Sequence, residues 1–301
     1  MKDIVCWGDS LTAGATAWPF LLEELINETY GKRISVANCG VGGETSSTIA
    51  VRAGAKGYEL TVRDALTIPA DCTPVPITMD YNHVRGRIGL LRQGQHNGGN
   101  SVNPMTIAGI RGTLALTMSK DAPEGAWIAT CDEKFLDYTF TRESAGEALD
   151  VPAGTRMIPY GATAYKGRFC ILYIGCNGGW NDIAQLIEQQ HAILDACDCT
   201  PDDCIIIGNH FNNPVNAARM DLEMAMHWGY HYLPLRVYFA SKQAYLDAGA
   251  DEATIAEHQE SIDKGITSPY FLRDAVHMNG IGYKLTSRLV FEKLKALGFF
   301  A

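Results

Sequence analysis

Nowhere in this 301-residue chain do 18 apolar residues run together, so no segment reads as a bilayer-spanning helix. Lysines and arginines form no cluster and the formal net charge is −9. An acidic chain without a basic patch has little with which to hold nucleic acid or an anionic membrane. Walker-type phosphate loops are missing. The glycine-rich "GVGGE" lacks both the Gly-x-Gly-x-x-Gly spacing and a placed ribose acid, and no serine sits in a Gly-x-Ser-x-Gly elbow. Cysteines number nine, an odd count, and they are scattered. Cys6, Cys170 and Cys176 lie in or beside apolar runs, which suits buried thiols in a reducing compartment better than a disulfide framework. Internal repeats and low-complexity tracts are also lacking. The strand-like "DIVCW" begins two residues after Met1 and leaves no room for a charged and then apolar leader. The expectation is a cytoplasmic enzyme, or a secreted one whose export signal has been trimmed.

What is present is enough apolar residue, 47% against 20% charged, for one large domain or two smaller ones. "IVCW", a helix over Trp18 to Tyr30 and "RISVANCG" read as β-α-β. The pattern resumes with strand "RFCILYIGCN", helix "DIAQLIEQQHAILDA", strand "CIIIGNH" and a helix through "NAARMDLEMAMHWG". Strand "HYLPL" and a last helix, "GIGYKLTSRLVFEKLKAL", complete it. Strands alternating with helices predict an α/β parallel sheet covered on both faces. Between them, residues 53–165 change texture. "PVPITM", "NPMTIAG", "GTLALTM", "YTFTR" and "ALDVPAGTRMIP" are short Thr/Val/Ile-rich segments parted by Gly and Pro, which predicts an inserted β-rich subdomain. Within it "RQGQHNGGNSVNP" is the candidate mobile loop.

Ser10, in "WGDSLTAG", stands where the first strand should end. In open parallel sheets ligands collect outside the carboxyl ends of the strands. A cap or turn is the plain reading of Asp-Ser; a nucleophile needs a base and something to orient that base. "LRDAVHMNGIGYKL" supplies both just ahead of the last helix. Asp274, three residues before His277, can reach Nδ1–H while Nε2 faces the serine. Oxyanion donors are also available, as glycine N–H groups in "NCGVGGETSS" and the Asn177 amide in "IGCNGG".

Taken together these four segments resemble the SGNH, or GDSL, hydrolase superfamily. Gly8 to Leu11 matches the first block, "GVGGETS" resembles the second, Gly175-x-Asn177 the third, and Asp274-x-x-His277 the last. The likeness covers residues 1–52 and 166–301. It implies a flavodoxin-like three-layer α/β/α core with Ser10 as nucleophile, His277 as base and Asp274 as its orienter. It also implies an oxyanion hole from the Ser10 N–H, the Gly43 N–H and the Asn177 side chain, and no cofactor. Gly40 or Gly42 can replace Gly43 as donor. The usual Gly-x-Asn-Asp is matched literally only at Gly179 to Asp182, so Asn181 competes with Asn177; Asn181-Asp182 reads better as a helix cap.

Asp9, Asn209 and His210 are candidate substrate contacts. Cys197, Cys199 and Cys204, with His191 and His210 nearby, invite a zinc reading, but the spacing lacks a Cys-x2-Cys knuckle, and the expectation is no metal. The function expected is a serine esterase acting on short acyl esters of carbohydrate, with Trp127, Tyr138 and Phe140 of the insertion as sugar-binding aromatics. The alternatives are a lysophospholipase, lipase or thioesterase on longer chains, and a non-catalytic carbohydrate-binding or assembly module. The expected partner is a small-molecule or carbohydrate ester, with neither nucleic acid nor membrane. The insertion is a candidate homo-oligomer interface.

Overall fold

The computed structural model describes residues 2–14, 16–31, 34–81, 101–126, 133–210 and 214–301. Its centre is a five-stranded sheet of β1 (Ile4–Gly8), β2 (Val36–Gly40), β3 (Phe169–Tyr173), β4 (Cys204–Ile207) and β5 (Tyr232–Leu233). All four pairings are parallel, and the spatial order is β2-β1-β3-β4-β5. This is the flavodoxin-like doubly wound order, whose topological switch point lies between β1 and β3.

Every residue of β1, β3 and β4 is buried, which is why these segments read as unbroken apolar runs rather than alternating ones. Ile4, Cys6, Ile171 and Ile205 face one way, against α1 (Trp18–Tyr30) and the C-terminal helix Gly280–Ala296. Val5, Trp7, Leu172 and Ile206 face the other, against α2 (Ser46–Ala53), α3 (Ile183–Ala196) and α4 (Pro214–Trp228). The Gly280–Ala296 helix is called α5 below. Helices thus cover both faces, and the core is a three-layer α/β/α sandwich.

A second sheet, seven-stranded and wholly antiparallel, is drawn from Leu60 to Pro159. Its central hairpin joins Ser101–Ile107 to Ile110–Met118 through Ala108 and Gly109, both at positive φ (48° and 83°), as a two-residue hairpin turn demands. It has its own apolar core, to which Val51 of α2 contributes. Phe140, expected at a sugar, is instead fully buried in that core, while Tyr138 packs against it and stays half-exposed. Trp127 and residues 92–100 of the expected mobile loop lie outside the described residues, while Ser101–Pro104 belong to a strand.

Among the described residues no helix is long and apolar enough to cross a membrane. Helix α2 and the series of short helices between Leu235 and Asp263 add to the elements the sequence pattern predicts.

Candidate active site

At the end of β1 the chain turns sharply, and each residue of Gly-Asp-Ser-Leu has a separate task there. A Cβ on Gly8 would lie 2.1 Å from Thr12 Oγ1, and one on Gly40 would lie 2.3 Å from the Ala13 nitrogen. Only glycine lets the turn fold back onto β1 and the edge strand β2. Asp9 caps the turn: its carbonyl accepts from the Thr12 and Ala13 N–H groups, and its Oδ1 from the Leu11 N–H at 2.9 Å. Leu11 is fully buried and anchors the turn in the core. Ser10 is the residue left half-exposed. The cap reading and the nucleophile reading therefore describe neighbouring residues, Asp9 for the first and Ser10 for the second.

His277 reaches Ser10 from a distant part of the chain. Its Nε2 lies 2.9 Å from Ser10 Oγ, and its Nδ1 lies 2.9 and 3.0 Å from the two Asp274 oxygens. A carboxylate only accepts, so Nδ1 carries the ring proton and the bare Nε2 accepts from the serine hydroxyl. Asp274 Oδ1 also accepts the backbone N–H groups of Val276 (2.9 Å) and His277 (2.7 Å). Those two donors, joined by the ring, hold its carboxyl far below the usual range.

The loop bearing this pair is clamped at its base. Leu272 bridges Met278 and the Arg273 N–H donates to the His277 carbonyl at 2.8 Å. Asn279 caps α5 through the Ile281 and Gly282 N–H groups and donates to the Tyr270 carbonyl.

His210 is the other brace. Its Nε2 is 2.7 Å from the Val276 carbonyl, which only accepts, so Nε2 carries the proton and Nδ1 accepts from the Tyr173 hydroxyl at 2.5 Å. The ring is buried, and burial drives its pKa down to about 4. With both nitrogens engaged it supports the His277 loop, and the expected substrate contact through this ring is not what the structure shows. Asp9, also expected at the substrate, is fully buried. Burial is the main reason its carboxyl is raised to about 7, with the nearby Glu44 charge adding to it.

Asn177 sits at the β3 exit. Its amide donates to Asp9 Oδ2 at 3.2 Å and to the Glu44 carbonyl at 3.0 Å. It thereby ties the nucleophile turn to the loop before α2. Both amide hydrogens are engaged, so joining an oxyanion requires surrender of the longer bond to Asp9. Among the described residues the backbone N–H groups of Ser10, Gly42 and Gly43 meet no protein acceptor, whereas Gly40 donates to Asn38 Oδ1. Gly43 is exposed at φ 77°. Asn181 donates its backbone N–H to Gln185 Oε1, and Asp182 caps α3 through the Gln185 N–H.

A salt bridge that the sequence reading missed lies under the Gly43 loop. The Glu44 carboxylate, fully buried, takes Arg52 at 2.6 Å, and the same guanidinium donates to the Cys39 carbonyl. Asn209 and the cysteines complete the placement. Asn209 lines a cavity beside Cys176. Cys197, Cys199 and Cys204 are buried in the core under α3, and His191 pairs instead with His227, Nε2 to Nε2 at 2.7 Å. Among the described residues no three His, Cys, Asp or Glu side chains are grouped to hold a metal ion.

No protein-family model matches the chain, and no curated protein matches it either. Among solved structures, it is similar to a lipase/acylhydrolase from Enterococcus faecalis at 14% identity and a TM-score of 0.41, over 98% of this chain and 96% of that one. A second likeness is to a peptidoglycan O-acetylesterase, at 13% identity and a TM-score of 0.37, over 100% and 92% of the two chains. The chain's own geometry is a doubly wound parallel sheet with a serine, a histidine and an aspartate in hydrogen-bonded sequence at the end of β1.

Proposed function

We propose that the chain is a cofactor-independent serine esterase. The observation that carries this reading is the line Ser10 Oγ, His277 Nε2, His277 Nδ1, Asp274, with each contact at 2.9 Å and the tautomer fixed by the carboxylate. In that arrangement His277 takes the Ser10 proton as Oγ attacks the ester carbonyl, and Asp274 stabilises the imidazolium. The tetrahedral oxyanion is met by the N–H groups of Ser10 and Gly43, with Asn177 as the amide donor. The alcohol departs with the proton from His277, and water activated by the same ring releases the acid.

The resemblance of the four sequence blocks to SGNH hydrolases supports the same reading. For substrate we favour a short acyl group on carbohydrate, because the sequence has no long apolar segment that argues for a lipid-binding lid. Turnover of p-nitrophenyl acetate by wild type and by Ser10→Ala is the test. Loss of activity in the variant is expected; full activity there sinks the mechanism. A series from acetate to laurate then fixes the acyl length, and preference for eight carbons or more overturns the short-acyl assignment.

A further inference from the structure

Beside the exit of the edge strand β2 the inserted sheet meets the parallel core, and the joint encloses a cavity of about 240 Å³. Gly40 and Arg52 wall it from the core, and Pro104, Pro159, Tyr160 and Tyr165 from the insertion. Sites for drug-sized ligands run to roughly 300–1,000 Å³, so this smaller space suits a single ring. Gly40 stands opposite Gly8 in register. One strand spacing of about 4.8 Å and two residues of at most about 3.6 Å each put the Gly40 wall within about 12 Å of Ser10.

The first clue to its ligand is a donor that can be reached. Arg52 gives Nε and Nη2 to the Glu44 carboxylate and Nη2 again to the Cys39 carbonyl. Its Nη1 has no acceptor among the described residues and, with 11% of the side chain exposed, is not sealed from solvent. The guanidinium carbon lies 5.1 Å over the Trp7 ring, so the fork is held in place before any ligand arrives. A guanidinium only donates, and what Nη1 selects is an oxygen acceptor. Among the described residues Arg52 is the one charged side chain lining the cavity, and Glu44 already balances it. An anion therefore finds no uncompensated charge there.

The second clue is an aromatic wall open to solvent. Tyr160 is 49% exposed, its backbone N–H donates to the Pro104 carbonyl, and its ring stands nearly perpendicular to Tyr165 with centroids 6.3 Å apart. An alkyl chain would cover such rings but leave Nη1 without a partner. A sugar meets both, with an apolar C–H face for the tyrosine and acceptor oxygens along its edge.

We infer that this joint binds one uncharged sugar residue, with an acceptor oxygen on Arg52 Nη1 and the C–H face of the ring along Tyr160. Assigning that sugar to the alcohol side of the ester rests on the esterase reading; the binding does not.

The test separates the two. Ser10→Ala, which cannot turn a substrate over, is titrated calorimetrically with the methyl glycosides of glucose, galactose, mannose and N-acetylglucosamine, and with benzoate and decanoate. At least one glycoside is expected to saturate, and to bind at least tenfold more weakly when Tyr160→Ala or Arg52→Lys is added. Lysine leaves Glu44 a cation but has no Nη1. Should Arg52→Lys not fold, as judged by circular dichroism, Arg52→Met with Glu44→Gln replaces it. With Ser10 intact, Tyr160→Ala should lower the ratio of kcat/KM for the acetylated form of that glycoside to that for p-nitrophenyl acetate at least tenfold. Saturation by benzoate or decanoate alone, by no probe, or equally in all variants overturns the inference and leaves the esterase reading standing. An unchanged ratio beside weakened binding overturns the alcohol-side assignment. Glycoside binding that depends on Tyr160, in a chain whose esterase activity survives Ser10→Ala, sinks the esterase reading alone.

Discussion

The Asp274 carboxylate holds His277 twice, through the backbone N–H at 2.7 Å and through ring Nδ1 at 2.9 Å. One group therefore sets both where the residue sits and which tautomer it presents. Asp274→Asn turns one acceptor into a donor facing other donors. We expect kcat on p-nitrophenyl acetate to fall on the order of 10²–10⁴ with the circular dichroism spectrum unchanged. A loss below threefold would show that the pair is ornamental.

His210 supports the same loop from beneath. In His210→Phe the Val276 carbonyl and the Tyr173 hydroxyl both lose their partner, at a cost of about 1–3 kcal/mol each if they stay buried. Urea unfolding should show that loss, and kcat should drop further than KM rises. Wild-type stability in the variant would mean that the brace carries no load.

Asp9 gives the pH dependence a definite sign. Its folded pKa is about 7 against an ordinary 3.8, so between these values the folded chain keeps a proton that the unfolded chain has lost. Its contribution to stability falls as pH rises through that window and levels off above about 7. His210 runs oppositely: at about 4 in the fold against 6.5, its contribution is full above 6.5 and is lost as pH falls toward 4. Comparing urea midpoints of wild type and Asp9→Asn isolates the first. The difference should change by on the order of 2–4 kcal/mol between pH 4 and pH 7, and a flat difference refutes the assignment.

Arg52→Met leaves the fully buried Glu44 carboxylate without its cation. Breaking a buried pair from one side costs about 3–5 kcal/mol, whereas Arg52→Met with Glu44→Gln should recover most of it. A double variant no more stable than Arg52→Met would place the cost elsewhere.

Much of the site was legible because its parts are local and fall where parallel strands end. Gly-Asp-Ser after β1 and Asp-x-x-His before α5 carry their geometry in a few residues. What was illegible is long-range or lacks a period. Helix α2 is not evident from the sequence because it runs only eight residues, Ser46–Ala53, too few turns for an apolar helical period to repeat. The sequence presents Asn209 and His210 together as cleft residues, yet consecutive side chains at a strand end point to opposite sides. One lines the cavity beside α4, and the other goes under the His277 loop. An aromatic in a Thr-rich segment looks available to a sugar, but in "LDYTFTR" the buried positions Leu136, Phe140 and Arg142 share one face. The Glu44–Arg52 pair spans two turns of helix from its cap and leaves no sequence signature.

Helix α2 is set in two walls at once. Ile49, Ala50 and Ala53 are embedded in the parallel-sheet core and Val51 in that of the seven-stranded sheet. Its first turn is latched to the β3 exit by the Ser46 N–H on the Gly178 carbonyl. The loop just before this helix carries Gly43 and Glu44, and the Glu44 carbonyl accepts from Asn177. One eight-residue helix is thus common masonry for the antiparallel core and for the loop that faces the Ser10 turn.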